Sequence, residues 1–182
     1  MLKNFNITKN ISLTNNMSLI KDIVSILAFS ILTGISAGFK IEIGAVPITM
    51  QTLIVLLSGA FLGSKKGATS QLTYLISGIT GIPWFSRGGG LSYILSPTLG
   101  YLIGFIPASY IVGLLIEKNR NTFSIIKSLI AGNFFIYAFG ILWLSRIFSL
   151  SESLVIGLYP FILGEILKMF LAIIILKNIK NE

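Results

Sequence analysis

Residues 82–105 read IPWFSRGGGLSYILSPTLGYLIGF. Most of the chain around this stretch is apolar enough to live in lipid. This stretch breaks the pattern with Pro83, Arg87, three consecutive glycines (Gly88, Gly89, Gly90) and Pro97. Glycine permits backbone at positive φ, and proline removes a donor and interrupts helices. The aromatics Trp84, Phe85 and Tyr93 flank the one fixed charge. Irregular backbone at membrane depth is tolerated where it is buried in protein or lines a wet cavity. The segment 82–97 therefore reads as an extracellular cap over a binding cavity whose floor is made by helices.

Composition sets the class. Of 182 residues, 54% are hydrophobic and only 11% charged, and the mean hydropathy is +0.89. Soluble domains carry roughly 25% charged residues. The deficit, spread over several long apolar runs, predicts an all-α polytopic membrane protein. Residues 1–17 are polar and lack an apolar core with a cleavage site, so they read as a mobile cytoplasmic tail rather than a signal peptide. There is no cysteine and no histidine, which removes disulfides, the usual zinc sites, a catalytic thiol and an imidazole base. The six acids are scattered, so paired-carboxylate catalysis has little support. No cofactor or metal is expected, and the chain does not read as an enzyme. The formal charge of +8 fits cytoplasmic loops held inside by Lys and Arg better than nucleic-acid binding.

A spanning helix needs about 20 apolar residues, and six candidates follow one another. They cover about 18–38, 48–63, 68–81, 98–116, 125–143 and 154–176, within one membrane domain over 18–177. On the first, Ser30, Gly34 and Gly38 recur at four-residue spacing. Small residues so placed let a helix approach closely, either within the bundle or on a partner protein. FKIEIGAVPITMQT (39–52) reads as a loop or short re-entrant piece. Thr49 and Gln51, in the first turn of the second helix, either face a cavity or cap the helix start. GSKKGATS (63–70) lacks the Gly-Lys-Ser/Thr of a phosphate loop and reads as a cytoplasmic turn. Gly100 and Gly104 form another close-packing pair, and Asn133 and Tyr137 share one face of the fifth helix. Pro160 can kink the sixth.

Six spans put both termini on one side. Ten of the fourteen cations fall on that side, including Lys65, Lys66, Lys118 and Arg120. Lys40, Arg87 and Arg146 fall on the other. The asymmetry makes the termini cytoplasmic, with 178–182 as a basic cytoplasmic tail.

Lys168 fits neither side. With Glu165 it sits inside the last helix, in PFILGEILKMF (160–170). Each such charge costs roughly 2.5–3.5 kcal/mol near the bilayer centre on insertion scales. Spacing of three places both on one face. They either share a ligand cavity or neutralise each other for structural reasons. Arg87 is a candidate anion clamp, because a guanidinium forks onto a carboxylate. Gln51, Tyr93 and Tyr101 complete the candidate substrate contacts.

Three segments carry a resemblance: VPITMQTLIVLLSGAFLG, GIPWFSRGGGLSYILSPTLGYLIGF and PFILGEILKMFLA. In order and spacing they resemble the motifs of the BioY family, the biotin-binding S components of energy-coupling factor (ECF) transporters. The match covers about residues 45–172. The resemblance implies a six-helix subunit that captures biotin from outside. It also implies three partners: a transmembrane coupling protein and two cytoplasmic ATPases. The stripe of Ser30, Gly34 and Gly38 resembles the surface with which S components dock on that partner. The family's usual acid in the last motif is aspartate; here Glu165 is one methylene longer. Biotin's ureido group offers two N–H donors and a carbonyl, which Glu165 and Lys168 can answer, and its carboxylate can meet Arg87. The alternatives are an S component for another vitamin and a structural membrane protein without transport activity.

Overall fold

The computed structural model describes residues 2–178, with side chains described from residue 17 onward. Seven α-helices account for most of the described residues. They are α1 (Leu2–Gly38), α2 (Gln51–Leu62), α3 (Ser64–Ile79), α4 (Leu99–Lys118), α5 (Thr122–Leu144), α6 (Leu150–Gly157) and α7 (Ile162–Asn178). Among the described residues, four stretches are long and apolar enough to cross a membrane: Met17–Gly38, Leu99–Lys118, Thr122–Leu144 and Leu150–Asn178. The chain is a multi-pass helical membrane protein. α1 begins well before Ser18, so the segment read as a tail is helical along its backbone. Residues 179–182 lie outside the described residues.

Three boundaries differ from the sequence reading. GSKKGATS is not a turn: Gly63 alone makes the break, at φ 80°, and Lys65 and Lys66 already lie in α3. A carboxylate oxygen of Glu117 accepts from Ser64 N at 2.8 Å, which satisfies a free donor at the start of α3. The last span is two helices rather than one kinked helix. Pro160 has no N–H and its ring clashes with the carbonyl four residues back. The chain answers with a 3-10 turn over Tyr159–Phe161 between α6 and α7. Residues 40–49, read as a loop, contain a two-rung antiparallel hairpin that pairs Lys40 with Thr49 and Ile41 with Ile48.

The Gly100/Gly104 pair does bring two helices together. A Cβ built on Gly100 would lie 2.2 Å from Trp143 Cβ, and one on Gly104 would lie 3.0 Å from Ile136 Cα. α4 and α5 therefore pack backbone to backbone. Buried Leu102, Phe105, Val112, Leu129 and Ile136 make the core on either side of this seam.

In the Ser30–Gly34–Gly38 stripe, Ser30 and Gly34 turn inward and Gly38 is exposed. Ser30 is buried and donates to Ser70 O at 2.7 Å. A Cβ on Gly34 would strike the Trp84 ring at 2.8 Å, while Gly38 meets nothing. Two of the three positions thus serve packing of α1 on α3 and on the cap. Nearby, Gln71 Nε2 donates to Ser58 Oγ at 3.0 Å, and Ser58 and Ser109 hydroxyls pair at 2.8 Å. These buried polar contacts tie α2, α3 and α4 where no water competes.

Candidate functional site

The site begins at the first turn of α2 and the N-terminal half of α7. Lys168 Nζ donates to Glu165 Oε1 at 2.6 Å, to Thr52 Oγ1 at 2.8 Å and to the Thr49 carbonyl at 2.7 Å. All three ammonium donors are used. Thr52 in turn donates to Glu165 Oε1 at 2.9 Å. Both charged side chains are less than a tenth exposed. A buried ion pair offsets its desolvation only when its geometry is good and its remaining groups are hydrogen-bonded. Lys168 meets that condition; Glu165 does not fully, because its Oε2 has no hydrogen-bond partner.

These residues form one wall of a small cavity of about 40 Å³, room for no more than a few waters. Tyr101, Phe105, Tyr137 and Phe161 line the opposite side. The Tyr101 ring meets Tyr137 edge-on at 5.9 Å and stacks on Phe161 at 6.4 Å. Its hydroxyl donates to Gly157 O at 2.8 Å, which pins α4 to the end of α6. Gln51 also lines the cavity and donates to the Tyr74 hydroxyl at 2.6 Å. The arrangement pairs a charged, hydrogen-bonding wall with an aromatic one. It can hold a flat or bicyclic polar group by hydrogen bonds on one side and by stacking on the other.

The glycine-rich segment folds over this cavity. Phe85 and Gly88 exchange backbone hydrogen bonds of 2.8 and 3.1 Å, and Gly90 N donates to Gly78 O at 2.8 Å. Gly88 and Gly90 sit at φ 109° and 94°, conformations that L side chains rarely adopt. Phe85 plugs into the bundle, edge-on to Tyr74 at 5.3 Å and 4.5 Å from Tyr93. Ser86 reaches the cavity itself. Two cations fasten the cap to the hairpin. Arg87 donates to the carbonyls of Gly44 (2.6 Å) and Ala45 (3.1 Å). Lys40 donates to Ser86 O at 2.6 Å and pairs with Glu42 at 2.7 Å. That contact holds the exposed Glu42 carboxyl below its ordinary pKa.

The sequence-derived candidates thus separate into two groups. Gln51, Tyr101, Glu165 and Lys168 meet at one cavity. Arg87 and Tyr93 do not line it. Arg87 is exposed and acts as a strap. Tyr93 is buried in the cap, where its hydroxyl accepts from Thr98 Oγ1 at 2.9 Å. The sequence reading did not single out Thr52. Its position beside Gln51, in the first turn of a helix, was the available signal.

The chain is similar to known proteins over most of its length. The chain is 37% identical over 163 residues to a probable biotin transporter BioY of Pyrococcus horikoshii, covering 89% of this chain and 98% of that protein. It is 34% identical to the biotin transporter BioY of Thermotoga maritima, covering 84% and 92%. It superposes on the crystal structure of the S-component for biotin from an ECF-type ABC transporter with a TM-score of 0.82. That superposition has 26% identity and covers 92% of this chain and 94% of the other. The model of the BioY family matches residues 7–182, and the chain belongs to that family.

Proposed function

We propose that this protein is the biotin-binding membrane subunit of an uptake system. It captures biotin at the outer face and delivers it with an ECF module, a transmembrane coupling protein with two cytoplasmic ATPases. The observation that carries the reading is the Lys168–Thr52–Glu165 cluster, buried in a membrane bundle and facing an aromatic wall under a strapped cap. Such charges are costly in lipid and mark substrate sites by default. The relatives and the solved S-component named above support biotin as the ligand.

In this reading the ureido carbonyl takes the Lys168 donor that now goes to the Thr49 carbonyl, and a ureido N–H donates to Glu165. Tyr101, Tyr137 and Phe161 cover the bicycle. Arg87 uses two donors on Gly44 and Ala45; a guanidinium has five. The remaining donors meet the carboxylate at the mouth. Gln51 orients the first turn of α2 through Tyr74, and Tyr93 supports the cap. The excess of Lys and Arg near the turn after α2, the α4–α5 turn and the end of α7 favours both termini in the cytoplasm. In this orientation the protein is an integral component of the plasma membrane.

Equilibrium binding of radiolabelled biotin to the purified protein in detergent, with thiamin and riboflavin as competitors, tests the ligand. Saturable binding displaced by biotin alone is expected. A folded sample that binds none of the three, or prefers another vitamin, refutes it. Biotin uptake by cells carrying this chain with and without an ECF module then tests the partner.

A further inference from the structure

A second, larger space adjoins the cavity. It is a groove between α5 and the α6–α7 segment, open at the surface of the bundle where Phe134 and Leu142 are exposed, with a volume of about 660 Å³. Phe134, Leu158, Ile162 and Met169 give it apolar walls. Tyr137 and Glu165 line both spaces, so these two side chains are the partition between them. Two buried polar groups without partners face this one groove. Asn133 is 9% exposed, and neither its Nδ2 nor its Oδ1 has a hydrogen bond. The other is Glu165 Oε2. Asn133 stands one turn from Tyr137 on the same face of α5.

An unpaired amide buried in a bilayer is costly, so it is retained where something pairs with it. The first cavity is also too small to hold a vitamin, since small-molecule sites occupy roughly 300–1,000 Å³. It cannot widen between α4 and α5, because Gly104 already packs at contact on Ile136. Lys168 and Thr52 are pinned by their hydrogen bonds. The partition at Tyr137 and Glu165 Oε2 is the side that can yield.

We infer that the ligand-binding volume extends past Tyr137 and Glu165 into the α5–α7 groove, and that Asn133 is a further ligand contact there. Its amide supplies one donor face and one acceptor. The chemistry it selects is a neutral group bearing both an N–H and a carbonyl, a cyclic urea or amide, rather than a carboxylate. Glu165 Oε2 completes the same shelf by accepting a second N–H. The inference rests on the proposed biotin-binding reading and deepens it.

The test measures two quantities on the full chain in detergent: the dissociation constant for biotin and the thermal midpoint of the ligand-free protein. Asn133→Leu removes an unpaired buried amide, so the ligand-free midpoint should hold or rise. Affinity should fall at least tenfold, and Asn133→Gln, which keeps the amide, should recover part of it. Ala138→Leu, which projects into the groove without reaching the Lys168 cluster, should also weaken binding several-fold. Unchanged affinity in either Asn133→Leu or Ala138→Leu overturns the inference and leaves biotin binding standing. A parallel fall of midpoint and affinity in Asn133→Leu assigns the residue a structural role and also overturns it. A wild-type protein that binds no biotin sinks the functional reading itself.

Discussion

Arg87 and Gly44 are joined by a 2.6 Å hydrogen bond from guanidinium to carbonyl across 43 residues of sequence. The contact fastens the glycine-rich cap to the hairpin that leads into α2. Lys40 makes the reciprocal bond from the hairpin to Ser86 of the cap. Each strap is a charged donor on a neutral carbonyl, stronger than an amide–carbonyl bond.

Loosening them should speed ligand exchange more than it changes the fold. Arg87→Ala is expected to raise the biotin dissociation rate by about one to two orders of magnitude, the loss of roughly 1.5–3 kcal/mol from charged hydrogen bonds. Arg87→Lys should recover only part, because an ammonium cannot fork onto two carbonyls. Stopped-flow or filter-binding off-rates decide this; an unchanged rate shows the strap to be passive.

Breaking the buried pair should cost stability as well as binding. Lys168→Met leaves Glu165 buried without its cation, and removing one partner of such a pair costs about 3–5 kcal/mol. Adding Glu165→Leu should restore much of the thermal midpoint while biotin binding stays lost. Equal destabilisation in the single and double variants would show that the charge pair is not the source.

Thr52 links the two charges, accepting from one and donating to the other. Thr52→Val keeps the shape and removes the hydroxyl, leaving partners short of a bond at about 1–3 kcal/mol. Affinity should fall by one to two orders of magnitude, with Thr52→Ser close to wild type. Titration of both variants with biotin gives the answer.

The α4–α5 seam should reject even one methyl group. Gly100→Ala places a Cβ against Trp143 Cβ and the Phe139 carbonyl. Overpacking of this kind costs typically about 1–3 kcal/mol. A lower thermal midpoint is expected; no change would mean the helices can part without penalty.

The hairpin side of the cap carries a pH signature. Glu42 has its pKa lowered chiefly by its hydrogen bond to Lys40 and then by that residue's charge. A depressed carboxylate contributes fully above its unfolded pKa and is lost as pH falls through the folded value. The biotin off-rate should therefore stay flat from neutral pH down to the ordinary carboxylate pKa, rise as pH falls further, and level off below the depressed value. The Glu42→Gln protein should lack that rise, and off-rates measured across an acid titration compare the two.

Much of this was readable one segment at a time. The apolar runs, the helix-breaking glycines and prolines of 82–97, and the pair Glu165 and Lys168 on one helix face all follow from local chemistry. Local pattern also explains the errors. A small-residue stripe such as Ser30–Gly34–Gly38 announces close packing but not the neighbour, and here the neighbours are Ser70 and Trp84. Arg87 is a charge in an outer loop by sequence, and only its carbonyl partners 42 and 43 residues away make it a strap.

Residue order alone established the membrane class, the irregular glycine-rich segment and the presence of a charge pair that lipid would not tolerate alone. Hydropathy and charge act residue by residue, so no knowledge of packing is needed for those conclusions. What the pair faces was settled by the assembled bundle. Thr52 reaches Glu165 across 113 residues, and the cavity wall draws on α2, α4, α5 and α7 together. Such contacts depend on how helices cross and how closely glycines let them approach, which no single segment encodes.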